Sequence, residues 1–222
     1  MKKYIAAGAA VVLLLFVIVI GARSCAGKSV DAAGYVQADL DLIFQGETKG
    51  AKEFLGASHA DLDKVYDNGI SAFVQNYLTG GADTQGQFSA TYEYLVKEIF
   101  RCMKYQVGEA KETEEGTYEV PVTYCPVNVF TTFIPELKEE AARIEKDAAD
   151  GKYEGTDEEI KKSMLLDYMT HSYTLLESAY LDMEYGEREE FVFTVHEKDG
   201  LPAMEEEEIS RFIERILELD KL

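Results

Sequence analysis

An uncharged apolar run near the N-terminus constrains this chain more than any other feature. Residues Ile5–Ala22 carry no charge over 18 positions. As an α-helix, this run would be about 27 Å long, close to the hydrocarbon thickness of a bilayer. A cleavable secretory signal usually has an apolar run of only about 7–15 residues. We therefore predict that residues 1–22 form an uncleaved transmembrane signal-anchor.

The flanks of this run predict its orientation. Lys2 and Lys3 precede it, and basic residues favour the cytoplasmic flank, although Arg23 and Lys28 on the other side dilute the signal. Because a short N-terminal stub is hard to translocate, we expect the N-terminus to lie inside. Residues 23–30 then form a juxtamembrane linker, and residues 31–222 form an extracytoplasmic domain of a single-pass cell-membrane protein.

Cys25 suggests a second way of anchoring the chain. A cysteine just after an apolar run can be the lipid-modified residue of a bacterial lipoprotein, and Ser24 is small, as such signals require. Arg23, however, is charged where those signals carry a small or apolar residue. The length of the run and Arg23 favour an unmodified cysteine at the end of a transmembrane helix. Both interpretations place the domain on the same side of the membrane.

The exported part of the chain is strongly acidic. The whole chain has 22 Lys and Arg against 42 Asp and Glu, and a formal net charge of -20. The first acid follows four basic residues, so residues 29–222 carry 18 basic and 42 acidic side chains. Such a surface repels nucleic acid and anionic lipid, which excludes both as partners of the domain. The 14 Tyr and 11 Phe indicate a folded core rather than a disordered acidic tail.

The spacing of apolar residues predicts an α+β domain. Three helical segments come first, followed by strand-like alternation over Tyr105–Glu112 and Thr117–Val127. Two helices follow, and Thr156 and Glu159 form a capping box at the start of the second. A third strand begins near Phe191 and precedes a closing amphipathic helix. We therefore predict a helix-rich fold, with several helices packed on a small bent antiparallel sheet.

Pro121 lies in the second of these strands. Tyr118, Val120, Val122 and Tyr124 alternate with polar residues around it. Proline has no backbone donor for a β-ladder, so we expect this strand to lie at an edge of the sheet or to carry a bulge.

Several segments resemble a known group of proteins. The hairpin reads Y-Q-V-x-E … G-T-Y-E-V-P-V-T-Y, and F-V-F-T-V-H-E-K-D-G-L-P precedes the last helix. With the opening Y-V-Q-A-D-L-D-L-I-F-Q-G, these segments resemble uncharacterised membrane-tethered extracytoplasmic proteins and lipoproteins of Gram-positive bacteria. The resemblance implies a bent sheet covered by helices, distantly similar to the nuclear-transport-factor-like cone fold. It implies location and shape, and brings no catalytic residues; Leu201 stands where such proteins often carry Trp.

Cys102 and Cys125 leave two interpretations open. Cys102 falls near the end of a helical pattern and Cys125 near the end of a strand pattern, so helix–sheet packing could bring them together as a disulfide. A disulfide requires Cα atoms within about 7 Å, which sequence cannot establish. The alternative is two reduced, buried cysteines that act as small apolar fillers.

No motif predicts catalysis, a cofactor or a metal. The histidines His59, His171 and His196 show no H-x-x-x-H spacing, and G-x-S-x-G is absent. The pairs Asp39/Asp41 and Asp61/Asp63 fall in helical patterns, where residues two apart point in nearly opposite directions. We therefore expect no catalytic, cofactor or metal residues.

An aromatic-lined pocket is the remaining candidate site. Its predicted residues are Tyr118, Tyr124, Tyr168, Tyr173, Tyr180 and His171. The competing interpretation, which we favour, is that the tyrosines fill the core and that His171 is a core histidine with one hydrogen bond. The predicted function is a non-catalytic module that binds an envelope protein or peptide. The alternative is a small-ligand receptor or an enzyme that uses the aromatic pocket.

Overall fold

The computed structural model describes residues 30–79, 89–198 and 200–222. The predicted signal-anchor, most of the linker and Cys25 lie outside these residues. Within the described part of the chain, no helix is both long enough and apolar enough to cross a membrane.

The described residues form helices and strands in mixed order. The helices are α1 Ala32–Gln45, α2 Thr48–Leu55, α3 His59–Phe73 with a π-helical continuation Val74–Thr79, α4 Ser89–Arg101, α5 Val129–Ala149, α6 Asp157–Leu181 and α7 Glu206–Ile216, followed by a 3₁₀ turn Leu219–Lys221. The strands are β1 Lys104–Val107, β2 Lys111–Glu114, β3 Thr117–Cys125, β4 Glu189–Lys198 and β5 Leu201–Met204. The predicted α+β class, with helices against an antiparallel sheet, is confirmed.

The sheet has β3 at its centre. The strand order is β1-β3-β4-β5, β2 also pairs with β3, and every pairing is antiparallel. The single strand predicted over Tyr105–Glu112 is therefore wrong, because β1 and β2 are separate strands. Both lie along the same side of β3.

Pro121 is accommodated by the gap between β1 and β2. It lies in the central strand β3, so the expected edge position is wrong. The Pro121 carbonyl accepts a 2.7 Å hydrogen bond from the amide of Gly108, which lies just after β1. The amide and carbonyl of one strand residue face the same neighbour, so the missing donor faces the point where the neighbouring strand is interrupted. The alternative expectation was a bulge in this strand, but β3 pairs with β4 without a register shift through Pro121, and the interruption lies in the neighbouring strands β1 and β2.

The core forms where α7 packs across the sheet. Phe212 is fully buried, and its ring lies 5.2 Å from those of Tyr124 and Phe193 and 5.4 Å from that of Phe191. Phe44 of α1 completes this group at 6.2 Å. The strand alternation thus places one face of β3 and β4 against two helices, and α5 and α6 pack on each other beside this core.

Candidate functional site

A group of charged side chains lies where α5 and α6 face each other, and we call it the hairpin cluster. It consists of Glu140, Arg143 and Asp147 of α5 with Asp167 and His171 of α6. Residues three and four apart share one face of a helix, so each helix presents its members together. The packing of the two helices then brings the two faces into contact.

Arg143 is the central group of the hairpin cluster. Its Nη2 lies 2.6 Å from Glu140 Oε1, and its Nε donates to Glu140 Oε2 over 2.8 Å. The same Nη2 lies 3.1 Å from Asp167 Oδ2, and Nη1 donates to Asp147 Oδ2 over 2.7 Å. These hydrogen bonds hold the pKa of the Glu140 carboxyl below its usual range, with Arg143 as the largest cause, and raise the pKa of Arg143 itself.

Two further side chains orient the acids of the cluster. The Tyr153 hydroxyl donates to Asp167 Oδ2, and this bond is the largest cause of the lowered pKa of Asp167. Lys152 Nζ lies 2.6 Å from Asp147 Oδ1, and its hydrogen bond lowers the pKa of Asp147. The carboxylates therefore stay charged across the physiological pH range.

His171 belongs to this cluster rather than to the core. Its side chain is 49% exposed, so the expectation of a core histidine is wrong. Its Nδ1 lies 2.7 Å from Glu140 Oε1 and 3.1 Å from Asp167 Oδ1. A pattern of paired histidines does not detect this arrangement. The pattern present in the sequence is D-x-x-x-H, in which Asp167 and His171 lie four residues apart and therefore on one face of the helix.

The structure places the predicted aromatic pocket residues on two elements, β3 and α6. Tyr118 and Tyr124 lie on the core face of β3, and the Tyr124 hydroxyl donates to Glu189 Oε2 over 2.7 Å. Tyr168 and Tyr180 pack from α6 against the core. Burial raises the pKa of Tyr168 to about 12, so it stays uncharged. Tyr124 is fully buried, whereas Tyr118, Tyr168 and Tyr180 are half-buried against the core.

Tyr173 lines a surface cleft. The cleft has a volume of about 210 Å³ and is lined by Thr91, Tyr92, Met169, Thr170, Tyr173 and Thr174. The Tyr92 and Tyr173 rings meet edge to face with centroids 5.8 Å apart. Ligand pockets for small molecules usually measure about 300–1,000 Å³, so this cleft suits only a small group or one side chain of a partner.

Cys102 and Cys125 approach the same corner of the sheet. Both are half-buried free cysteines in the structure. Cys125 pairs with Lys104, two residues after Cys102, and the Tyr185 hydroxyl donates to the Cys102 carbonyl over 2.8 Å. Burial raises the pKa of Tyr185, and the two neighbouring thiols add to that shift. The disulfide and the reduced pair of cysteines therefore both stay predictions.

The fold and this site describe an α+β domain with a charged helical hairpin packed beside its sheet. No family model matches the chain, and none of the curated proteins matches it. Among solved structures, the chain is similar to the crystal structure of a "putative lipoprotein (ycdA)" from Bacillus subtilis, with a TM-score of 0.52 and 13% identity. The match covers 84% of this chain and 56% of that one, so this chain spans little more than half of the longer protein. At this identity, the likeness establishes a shared fold.

Proposed function

We propose that the protein is a membrane-tethered, extracytoplasmic module of the bacterial cell surface that binds an envelope protein or peptide without catalysis. The observation that carries this proposal is the fold shared with the Bacillus structure, which is described as a "putative lipoprotein", a class of exported and membrane-anchored proteins. The apolar run Ile5–Ala22 supports the same location, either as a signal-anchor or as the leader of a lipid anchor on Cys25. Residues 31–222 are then the exported domain.

The partner we propose is a basic segment of an envelope protein. All four residues of β2 are exposed, and among the strands that the structure describes, β2 pairs only with β3. Glu114 and the adjacent Glu115 add exposed negative charge there. An acidic edge strand repels a second copy of itself and attracts an extended basic segment, which can add to the sheet through backbone hydrogen bonds.

Cross-linking in intact cells followed by affinity purification tests the partner. We expect a Glu114→Lys, Glu115→Lys variant to lose the partner that the wild-type chain captures. A Glu136→Lys, Glu139→Lys variant changes the charge equally at exposed positions of α5 and should keep it. Equal loss in both variants would show general charge attraction and contradict binding at β2.

Mass spectrometry of the native protein tests the tether. An intact N-terminus supports the signal-anchor, and a mature N-terminus at a lipid-modified Cys25 supports the lipoprotein. A Cys25→Ala variant should lose the lipid-modified N-terminus if the chain is a lipoprotein, and should leave the N-terminus of a signal-anchor unchanged. Full-length chain dissolved in the cytosol would contradict both. The same spectrum tests the Cys102–Cys125 disulfide, whose formation removes two hydrogens.

A second candidate function rests on the cleft at Tyr92 and Tyr173. Two aromatic rings and three threonines line it, which suits a small apolar group with a polar rim. This is the small-ligand receptor or enzyme of the alternative prediction. A screen of small aromatic and aliphatic ligands by protein NMR should shift methyl signals of Met169 if this function holds, and a Tyr173→Ala variant should abolish the shifts.

A further inference from the structure

We infer that Glu140, Asp167 and His171 form a binding site for one divalent transition-metal ion of the zinc class, and that Arg143 occupies the position of the ion when none is bound. The inference concerns a site separate from the proposed partner surface on β2. The inference rests on three observations. These are the distances between the three ligand atoms, the opposite hydrogen-bonding requirements of the two neighbours of His171 Nδ1, and the hydrogen bond that Arg143 can keep with Asp147.

The three side chains are arranged as metal ligands are. One ligand atom from each of Glu140, Asp167 and His171 lies within 4.8 Å of the others. Zinc takes nitrogen and oxygen ligands at about 2.0–2.2 Å in a tetrahedron, which places neighbouring ligand atoms about 3.3–3.6 Å apart. The distance from His171 Nδ1 to Asp167 Oδ1, 3.1 Å, is about 0.2 Å below that spacing, and the distance to Glu140 Oε1, 2.7 Å, is about 0.6 Å below it, so the ion would separate Glu140 from His171 slightly.

The donor set also matches the ion in charge and in access. Imidazole is a preferred ligand of zinc and its neighbours in the first transition row, and two carboxylates balance a divalent charge. The Glu140 side chain is 14% exposed and that of His171 49% exposed. The site therefore has a fixed inner side, formed by α5, and a solvent side through which an ion and a water ligand can enter.

The hydrogen bonds of His171 conflict in the absence of an ion. Its Nδ1 lies 2.9 Å from Arg143 Nη2, which can only donate, and 2.7 Å from Glu140 Oε1, which as a carboxylate can only accept. If Nδ1 carries a proton, it is a donor that faces the donor Arg143 Nη2. If Nδ1 carries no proton, it is an acceptor that faces the acceptor Glu140 Oε1. A metal ion removes the conflict, because it accepts the lone pairs of the imidazole and both carboxylates.

Arg143 can leave the ligand atoms without losing all of its partners. Its Nη1 donates to Asp147 Oδ2 over 2.7 Å, Asp147 is not one of the three ligands, and the Arg143 side chain is 39% exposed. Tyr153 holds Oδ2 of Asp167, which leaves Oδ1 for the ion. Outer-sphere hydrogen bonds of this kind orient ligating carboxylates in metal sites.

The test is zinc titration of the full-length chain in detergent micelles, after treatment with a chelator, against a chromophoric competitor. We expect one ion per chain. His171→Ala should weaken binding by more than about tenfold, and Arg143→Gln should strengthen it, because a competing cation is removed. His196→Ala removes a histidine of β4, outside the cluster, and serves as the matched control with unchanged affinity.

Cobalt substitution gives a second readout that does not depend on affinity. Cobalt in the wild-type site should show the visible absorption of a four-coordinate ion, and His171→Ala should lose it while circular dichroism shows an intact fold. Zinc binding with several ions per chain, unchanged in His171→Ala, would identify general binding to the acidic surface and overturn the inference. Weaker binding in Arg143→Gln would also overturn it, since Arg143 would then support the ion instead of competing with it.

Discussion

The Tyr92 hydroxyl donates a hydrogen bond to the main-chain carbonyl of Met169, 2.9 Å away, and so joins α4 to α6. Tyr92 is 1% exposed, and the hydroxyl of Ser172, also buried, contacts both groups. The bond connects residues 77 positions apart and fixes the ring that forms the floor of the surface cleft. After its loss, the Ser172 hydroxyl would remain as a donor to the Met169 carbonyl, 3.2 Å away.

We expect Tyr92→Phe to lower the free energy of unfolding by about 0.5–1.5 kcal/mol, because it removes one buried hydrogen bond while the Ser172 hydroxyl still donates to the Met169 carbonyl. Urea denaturation of the full-length chain in detergent measures the change. Tyr94→Phe is the control, because Tyr94 is 65% exposed and should change stability by less than about 0.5 kcal/mol. Equal effects of the two substitutions would show that the buried bond contributes nothing.

Two glycines with the same backbone conformation allow a paired prediction. Gly46 ends α1 at φ 68° and Gly56 ends α2 at φ 65°. A Cβ at Gly46 would lie 2.9 Å from the Tyr66 ring, whereas a Cβ at Gly56 would meet nothing within 4 Å. Gly56→Ala should therefore cost only the left-handed strain, about 1–2 kcal/mol. Gly46→Ala should cost about 1–3 kcal/mol more, because it also crowds the buried ring.

Thermal unfolding of both variants and of the Gly46→Ala, Tyr66→Leu double variant measures this difference. Replacing the ring should bring the cost of Gly46→Ala close to that of Gly56→Ala. If Gly46→Ala stays equally costly without the ring, the crowding argument fails.

The features of the fold that could be predicted from the sequence were those determined by residues close together in the chain. The Thr156 hydroxyl accepts a hydrogen bond from the backbone amide of Glu159 at the start of α6, as the capping box predicts. The alternation of apolar and polar residues around Phe191 likewise predicted β4. Each of these patterns lies within a few residues of the helix start or strand that it predicts.

The contacts between distant segments could not be predicted. The break opposite Pro121 depends on Gly108, which meets it only once β1 pairs with β3. The hairpin cluster depends on how far α5 and α6 are offset along each other, and this offset decides that Glu140 faces His171. Helical periodicity identifies the faces of a helix, but it does not determine which residues of two faces meet.

Asp39 predicts a pH dependence of stability. It lies on α1 and is 5% exposed, and its Oδ2 has no hydrogen-bond partner among the described residues. Burial raises the pKa of this carboxyl from 3.8 to about 7. Between these values the unfolded chain has released the proton and the folded chain has kept it, so the contribution of Asp39 to stability is greatest below about pH 4 and is lost as pH rises from about 4 through 7.

The expected loss is up to about 4 kcal/mol, from about 1.4 kcal/mol for each pKa unit. Subtraction of the unfolding free energies of wild type and Asp39→Asn at each pH isolates this contribution, since the asparagine does not titrate. Asp63→Asn, at an exposed position of α3, is the matched control and should reproduce the wild-type pH profile. Parallel profiles for wild type and Asp39→Asn would show that Asp39 is charged in the folded protein.

The burial of Phe212 predicts how much the packing of α7 on the sheet contributes to stability. Its ring contacts those of Tyr124, Phe191 and Phe193 on two strands and Phe44 on α1, and none of its surface is exposed. Phe212→Ala should cost about 3–5 kcal/mol through lost burial and the cavity left behind. Phe212→Leu keeps most of the volume and should cost clearly less, whereas Leu166→Ala, at a 53% exposed position of α6, should change little. Urea denaturation measures the loss of stability, and hydrogen exchange of the β3 and β4 amides shows whether the loss occurs in the sheet. A cost for Phe212→Ala no greater than that for Leu166→Ala would contradict the packing of α7 on the sheet.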